Sequence, residues 1–196
     1  MEILDITGDH ISKLSDEDLR ILVIKLCEAE LRRFNLPLSA VTAGGHQNAA
    51  DGGIDVRVEL PNSSSDLDFI PKSVTGFQVK QEDMPPSAIR LEMCPKKKLR
   101  SSIYDLASKR GAYVIVSGKG STTDSALKNR RCAMQNAISD LPQDTSLTTE
   151  FYDRDRLARW IKNYPGVALW LREQIGEPLT GWRPYSDWAY GDSANS

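Results

Sequence analysis

The sequence predicts an α/β fold in which a mixed β-sheet is flanked by helices on both faces. Residues 54–60 and 76–81 each alternate apolar and polar side chains, as strands with one buried face do. Residues 112–117 form a continuous apolar run, which is typical of a strand covered on both faces. Early strands followed by strands that alternate with helices imply a mixed sheet rather than a purely parallel one.

The first strong helix is predicted from Asp16 to Phe34. Ser15 is a good N-cap, acidic residues occupy the first turn, two arginines occupy the last turn, and Pro37 stops the helix. Its apolar stripe comprises Leu19, Leu22, Val23, Leu26 and Phe34. Glu30 falls on this stripe, whereas Glu28 falls off it, so Glu30 is expected to face the sheet.

The remaining elements are predicted in order along the chain. We expect a short strand at 39–42, a loop at 43–53, the two alternating strands, a helix at 99–110, the buried strand, a helix from about 124 to 139, a strand at 147–152 and helices at 153–162 and 166–175. Residues 1–175 are expected to form one domain. Residues 176–196 are expected to be a C-terminal extension, or a linker to further domains outside this chain.

Composition narrows the possible classes of function. The net charge is −2, so the chain is not a polycation, and nucleic acid would have to be bound by local basic clusters. These clusters are Lys96–Lys98 with Arg100, Lys109–Arg110, and Lys128 with Arg130–Arg131. Alone, each is more often a solvated helix face than a binding site.

Cysteine and histidine usage excludes several other chemistries. Cys27, Cys94 and Cys132 are odd in number and far apart, which favours free thiols in a reducing cytoplasm over disulfides or a zinc site. His10 and His46 are too few for a Ser-His-Asp hydrolase to be favoured. No apolar run approaches the roughly 18 residues of a membrane helix, so a cytoplasmic protein without a membrane partner is expected.

The two alternating strands place three functional groups on one face of the sheet. If these strands pair, Asp55, Gln78 and Lys80 converge at one end. A carboxylate, an amide oxygen and an ammonium together suit metal-assisted attack on a phosphodiester. The alternative is that Asp55 is an ordinary surface carboxylate. The preceding glycines 52 and 53, which permit a sharp bend at a site rim, reduce the weight of that alternative.

This combination of a helix glutamate, Asp-Gly-Gly-Ile-Asp55 on one strand and Gln78-x-Lys80 on the next resembles the PD-(D/E)xK nucleases, and among them the Mrr-like group. The resemblance covers roughly residues 16–117 and implies a restriction endonuclease-like fold. It further implies that Asp55, Gln78 and Glu30 bind Mg²⁺, or alternatively Mn²⁺, with Glu28 the less favoured helix ligand. Lys80 would orient the attacking water and stabilise charge on the phosphate.

Three further stretches resemble a narrower group. Residues 42–55, 111–117 and 181–184 are similar to nuclease domains at the N-terminus of antiviral STAND NTPases, which are large bacterial anti-phage defence proteins. That resemblance implies an effector that cleaves double-stranded DNA. It also implies activation by oligomerisation, as a homodimer or homotetramer, and fusion to NTPase and sensor domains.

Several alternatives stay open at this point. The same fold could serve as a non-catalytic DNA-binding or protein-interaction module, or as an RNase. Residues 81–83 are either a loop face or auxiliary metal ligands, and His46 could contact a phosphate. Residues 118–123 could bind a phosphate through backbone N–H groups, but they lack the Walker spacing, so nucleotide hydrolysis by this segment is rejected.

Overall fold

The computed structural model describes residues 5–44, 53–61, 67–142 and 144–182. Its strands are β1 (Val41–Ala43), β2 (Val56–Glu59), β3 (Val74–Lys80), β4 (Ala112–Ser117) and β5 (Thr148–Tyr152). Its α-helices are α1 (Gly8–Ser12), α2 (Asp16–Arg33), α3 (Pro86–Met93), α4 (Ser101–Ser108), α5 (Asp124–Ala137), α6 (Arg154–Ile161) and α7 (Pro165–Gln174). None of the helices in the described ranges is long and apolar enough to cross a membrane.

The five strands form one sheet in the order β1-β2-β3-β4-β5. The pairs β1–β2 and β2–β3 are antiparallel, whereas β3–β4 and β4–β5 are parallel. Parallel neighbours need a crossover connection, and the segments carrying α3, α4 and α5 provide it. The predicted α/β class with a mixed sheet is therefore confirmed.

The sheet separates two hydrophobic cores. Phe77, Val79, Val114 and Val116 face the core built with α2, α6 and α7. The core on the opposite face, which includes Tyr113, is built with α3, α4 and α5. All six residues of β4 are buried, as the continuous apolar run predicted.

Helix α2 begins and ends close to its predicted limits. The Ser15 hydroxyl accepts the Asp18 N–H at 3.0 Å, which confirms the predicted N-cap. Phe34, however, was wrongly placed on the buried stripe. It follows the last helical residue and is 39% exposed, and Leu31 is buried within the helix instead.

Strand β2 departs from the predicted alternation at its start. Ile54 was expected to share a face with Val56, Val58 and Leu60, but it packs in the opposite core. Regular pairing begins only at Val56, after Gly53 with its φ of +82°. Ile54 therefore lies before the regular pleat, and strict alternation does not govern its direction.

Two helices were missed by the sequence interpretation. Helix α1 has only five residues, too few for a periodic pattern to be visible. Helix α3 begins at Pro86, in a region for which no helix or strand was predicted. Proline is tolerated at the first helical position, where its missing N–H would have no partner in any case.

Residues 118–123 are occupied by a contact within the protein. The Asp153 carboxylate accepts the backbone N–H of Thr122 at 3.1 Å and its hydroxyl at 2.5 Å. The other carboxylate oxygen of Asp153 accepts the Arg156 N–H at 2.9 Å and so caps α6. A side-chain carboxylate thus takes the position considered for a phosphate.

Replacing Asp153 by alanine is expected to lower the free energy of unfolding by about 1–3 kcal/mol. The change removes a helix cap and both contacts to Thr122, and Asp153 is 7% exposed. Urea unfolding of the variant measures the effect, with the exposed Asp144→Ala as control. Equal stability of the two variants would contradict the bracing role of Asp153.

Candidate active site

Asp55 is held at the junction of β2 and β3. Its backbone N–H donates to the Phe77 carbonyl at 2.8 Å, which extends the antiparallel pairing by one residue. Its Oδ2 accepts the Val79 N–H and the Gln78 Nε2, each at 2.7 Å. The structure therefore brings Asp55 and Gln78 together, as the paired-strand hypothesis predicted.

Two oxygen atoms at this junction are left without a hydrogen-bond donor within the described residues. Gln78 is 4% exposed, and its Oε1 has no partner there. Asp55 Oδ1 faces only the Arg20 Nε, at 3.4 Å. A buried amide oxygen without a partner is costly, so it identifies a position where a bound group would be stabilising.

Lys80 lies at the end of β3, where the sequence placed it. Its Nζ is 3.4 Å from Glu92 Oε2, and its side chain is 34% exposed. The other oxygen of Glu92 accepts from Arg100 Nη2 at 2.8 Å. Glu92 therefore fixes both cations beside the sheet. It was missed because α3, which carries it, was not predicted.

The first turns of α2 also reach the site. Arg20 Nη2 is 3.2 Å from Asp16 Oδ2, and its Nε faces Asp55. Asp16 Oδ1 accepts the Gln81 N–H at 3.2 Å. From the sequence, Asp16 was predicted only to favour the start of the helix, and no role was predicted for Arg20. Both lie in the first turns of α2, which is the part of this helix that reaches Asp55.

Burial raises the pKa of the Asp55 carboxyl above its ordinary value. The Val79 N–H, Arg20 and Lys80 act in the opposite direction, and Asp16 raises the pKa further. The direction of the shift is thus set by loss of hydration. An added cation beside the carboxylate would lower this pKa.

The raised pKa predicts a pH dependence of stability. The folded protein holds the Asp55 proton more tightly than the unfolded chain does, so the contribution of Asp55 to stability falls as pH rises from the ordinary aspartate range through the raised pKa. Asp55→Asn lacks this titration. Urea unfolding of both proteins between about pH 3 and 7 is expected to show the variant gaining relative stability across that window. A pH-independent difference would contradict it.

Glu30 is not brought to this site. It is fully buried, and its carboxylate accepts Trp160 Nε1 at 2.8 Å, the Tyr164 hydroxyl at 2.6 Å and the Asp68 N–H at 3.2 Å. It lies ten residues beyond Arg20 on the same helix, about 15 Å along the axis. The expected role of Glu30 as a metal ligand is corrected on this ground, because its oxygens already bind donors elsewhere in the core. Glu28 is half-buried and lines a different cavity.

No protein-family model, characterised protein or solved structure matches this chain. The candidate site therefore rests on its own geometry.

The site offers oxygen ligands but few carboxylates. Among the described residues, Gln78 supplies a buried oxygen without a hydrogen-bond partner, Asp55 supplies an oxygen that faces Arg20, and the charge of Asp16 acts on Asp55. Over the described ranges, no group of three or more His, Cys, Asp or Glu is arranged to hold a metal ion. The donor types fit Mg²⁺, which prefers oxygen and keeps several waters, with only part of its shell supplied by protein.

The other predicted candidates have mainly structural contacts. The Gln81 amide donates to the Ser12 and Leu14 carbonyls, and Asp83 pairs with Arg130 at 2.8 Å. Neither residue is placed as an auxiliary metal ligand by these contacts. Residues 45–52, which include His46, lie outside the described residues.

Two of the three basic clusters are partly neutralised by ion pairs. Lys109 pairs with Glu59 and Asp105, and Arg131 pairs with Glu150. Lys96 and Lys97 instead line a cavity of about 540 Å³ beside α3, together with Arg90. The three cysteines are free thiols, as predicted.

Proposed function

We propose that this protein is a metal-dependent endonuclease that cleaves DNA phosphodiester bonds. The observation that carries the proposal is the junction at which Gln78 Nε2 and the Val79 N–H hold Asp55 Oδ2, while Gln78 Oε1 is buried without a hydrogen-bond partner among the described residues. This arrangement holds the Asp55 carboxylate in one orientation and leaves Gln78 Oε1 available as a second oxygen ligand. Lys80 lies at the next position on the same face of β3.

The proposed ligands of Mg²⁺, or alternatively Mn²⁺, are Asp55 and Gln78, with Asp16 in the place first given to Glu30. The metal would polarise the scissile phosphate and lower the pKa of the attacking water. Lys80, positioned by Glu92, would stabilise the negative charge that develops on the phosphate. Arg20 would have to move away from Asp55 for a cation to bind there. It also contacts Asp16, which is proposed as a ligand of the same cation.

The proposal includes a restriction endonuclease-like fold, double-stranded DNA as the substrate, and a role as the N-terminal effector of a bacterial anti-phage protein activated by homo-oligomerisation. The support is the order of helix, antiparallel strands and crossover to a parallel strand around Asp55, Gln78 and Lys80. Fusion to NTPase and sensor domains and a cytoplasmic location rest on the sequence resemblance.

A non-catalytic DNA-binding or protein-interaction module is the competing function. It is favoured by one contact, because Arg20 already stands beside Asp55 where a metal cation would bind. A permanent ion pair there would keep the fold and remove the chemistry. An RNase using the same residues is a third outcome that substrate comparison separates.

The test is cleavage of supercoiled plasmid, linear duplex DNA and single-stranded RNA with Mg²⁺, Mn²⁺ or EDTA. Metal-dependent cleavage of DNA is expected. Lys80→Ala is expected to reduce the rate about 10²-fold, because it removes one charge aimed at the phosphate. The exposed Lys72→Ala, which loses the same charge before the opposite end of β3, is the matched control and should leave the rate unchanged.

The contrary results are distinct. Cleavage of RNA alone would make the protein an RNase. DNA retention without cleavage in either metal would favour the binding module. Equal loss in Lys80→Ala and Lys72→Ala would remove Lys80 from the proposed site.

A further inference from the structure

A second cavity opens between α2 and α7, away from Asp55. Its volume is about 640 Å³, within the range of small-molecule sites. Its polar and aromatic lining includes Lys25, Glu28, Arg32, Arg33, Tyr164 and Trp170. Arg32 lies twelve residues beyond Arg20 on α2, about 18 Å along the helix axis. The cavity is therefore separate from the proposed nuclease site.

The charge of this cavity is strongly positive and locally unbalanced. Three cations and one carboxylate line it, and none of the three cations forms an ion pair with a carboxylate of the described residues. Even Glu28, one helical turn before Arg32, is not in salt-bridge contact with it. Lys109 and Arg131, by contrast, each form ion pairs with carboxylates. A cluster left unpaired inside a concave surface attracts an anion.

The cations differ in what holds them. Lys25 Nζ lies 5.2 Å from the centroid of the Trp170 ring, and Arg33 Cζ lies 5.5 Å from the centroid of the Phe34 ring. Arg32 is exposed and has no partner in the described part of the chain. Two of the three positive groups are thus pre-positioned by aromatic side chains, which lowers the ordering cost of binding.

The lining also has an apolar, aromatic part. Ala29, Val167 and the half-buried Trp170 lie beside the cations, and the first turn of α7 closes the wall. A ligand that suits this surface has an anionic end and a flat, less polar end. The guanidinium group of arginine can donate two parallel hydrogen bonds to phosphate oxygens, and an indole ring offers a surface on which an aromatic base can stack.

We propose that the α2–α7 cavity binds a nucleotide, with its phosphates on Arg32, Arg33 and Lys25 and its base against the Trp170 side. The site requires no catalysis and does not depend on the proposed nuclease function. Its ligand would contact the second half of α2, whereas Asp16 and Arg20 lie at the beginning of that helix.

Calorimetric titration of the full chain with ATP, inorganic phosphate and adenosine tests this site in the absence of divalent metal. ATP is expected to bind, and to bind at least tenfold more tightly than either fragment. Arg32→Glu is expected to weaken ATP binding at least tenfold. Because Arg32 is exposed and has no partner among the residues that the structure describes, this change should leave the fold intact, which far-UV circular dichroism verifies. Lys96→Glu carries the same charge reversal on the other cavity and should change ATP affinity less than twofold.

Each other result overturns the assignment. If inorganic phosphate bound as tightly as ATP, the base would contribute nothing and the ligand would not be a nucleotide. If adenosine bound as tightly as ATP, the three cations would not contribute to binding. Equal losses in Arg32→Glu and Lys96→Glu would indicate a general charge effect. Absence of ATP binding at millimolar concentration would eliminate the site.

Discussion

Asp55→Asn is expected to reduce metal-dependent DNA cleavage by at least about 10³-fold. The substitution removes the negative charge that a cation at the β2–β3 junction requires. It keeps the size of the side chain, and its amide oxygen still accepts the Val79 N–H, so the local pairing is retained. Loss of activity would then report chemistry and not unfolding.

The matched control for this variant is Asp105→Asn. Asp105 is a half-exposed carboxylate on α4 that pairs with Arg57 at 2.7 Å. The same chemical change there should leave the cleavage rate within about twofold, since exposed pairs contribute little. Metal titration of both variants by calorimetry gives a second readout. Wild-type cleavage by Asp55→Asn would end the proposed mechanism.

Glu30→Ala is expected to lower the free energy of unfolding by about 3–5 kcal/mol. It would leave the Trp160 indole N–H and the Tyr164 hydroxyl without their shared acceptor, Glu30 Oε2, in a buried position. It would also free the Asp68 N–H and open a cavity between α2 and α6. Urea unfolding followed by tryptophan fluorescence measures the change, because Trp160 reports on this location.

Glu28→Ala is the natural control for that measurement. Glu28 lies on the same helix two residues earlier, is half-buried, and makes no ion pair with described residues, so its replacement should stay within about 0.5 kcal/mol. Glu30→Gln separates the two roles considered for Glu30. A stable Glu30→Gln variant without cleavage would restore Glu30 to the active site. A destabilised variant with residual cleavage would support its role in the core.

Local pattern was sufficient where one periodicity governs an element. The alternation of Phe77, Gln78 and Val79 gave the correct faces of β3, and the cap at Ser15 gave the correct start of α2. It was insufficient for Glu30. The helical stripe correctly predicted that Glu30 faces inward. It could not predict the hydrogen-bond partners of Glu30, because Trp160 and Tyr164 are 130 and 134 residues away in sequence.

In the candidate site, too, local pattern predicted some contacts and missed those that depend on tertiary packing. Pairing of two neighbouring strands predicted the meeting of Asp55 with Gln78. The contribution of Glu92 was invisible because it depends on α3, a short helix that begins with proline. Arg20 was invisible because its contact with Asp55 depends on how α2 crosses the sheet. Such docking follows from tertiary packing and has no signature in local sequence.

Helix α2 has a mechanical consequence for the whole molecule. Its eighteen residues form a rod about 27 Å long, with Asp16 and Arg20 near one end, Glu30 clamped toward the other, and Arg32 and Arg33 at its last turn. Because the helix is held at Glu30, its two ends would move in opposite directions if it tilted as a rigid body. A ligand that displaced Arg32 would therefore also displace Arg20, and a ligand that displaced Arg20 would displace Arg32. Any such coupling would be reciprocal.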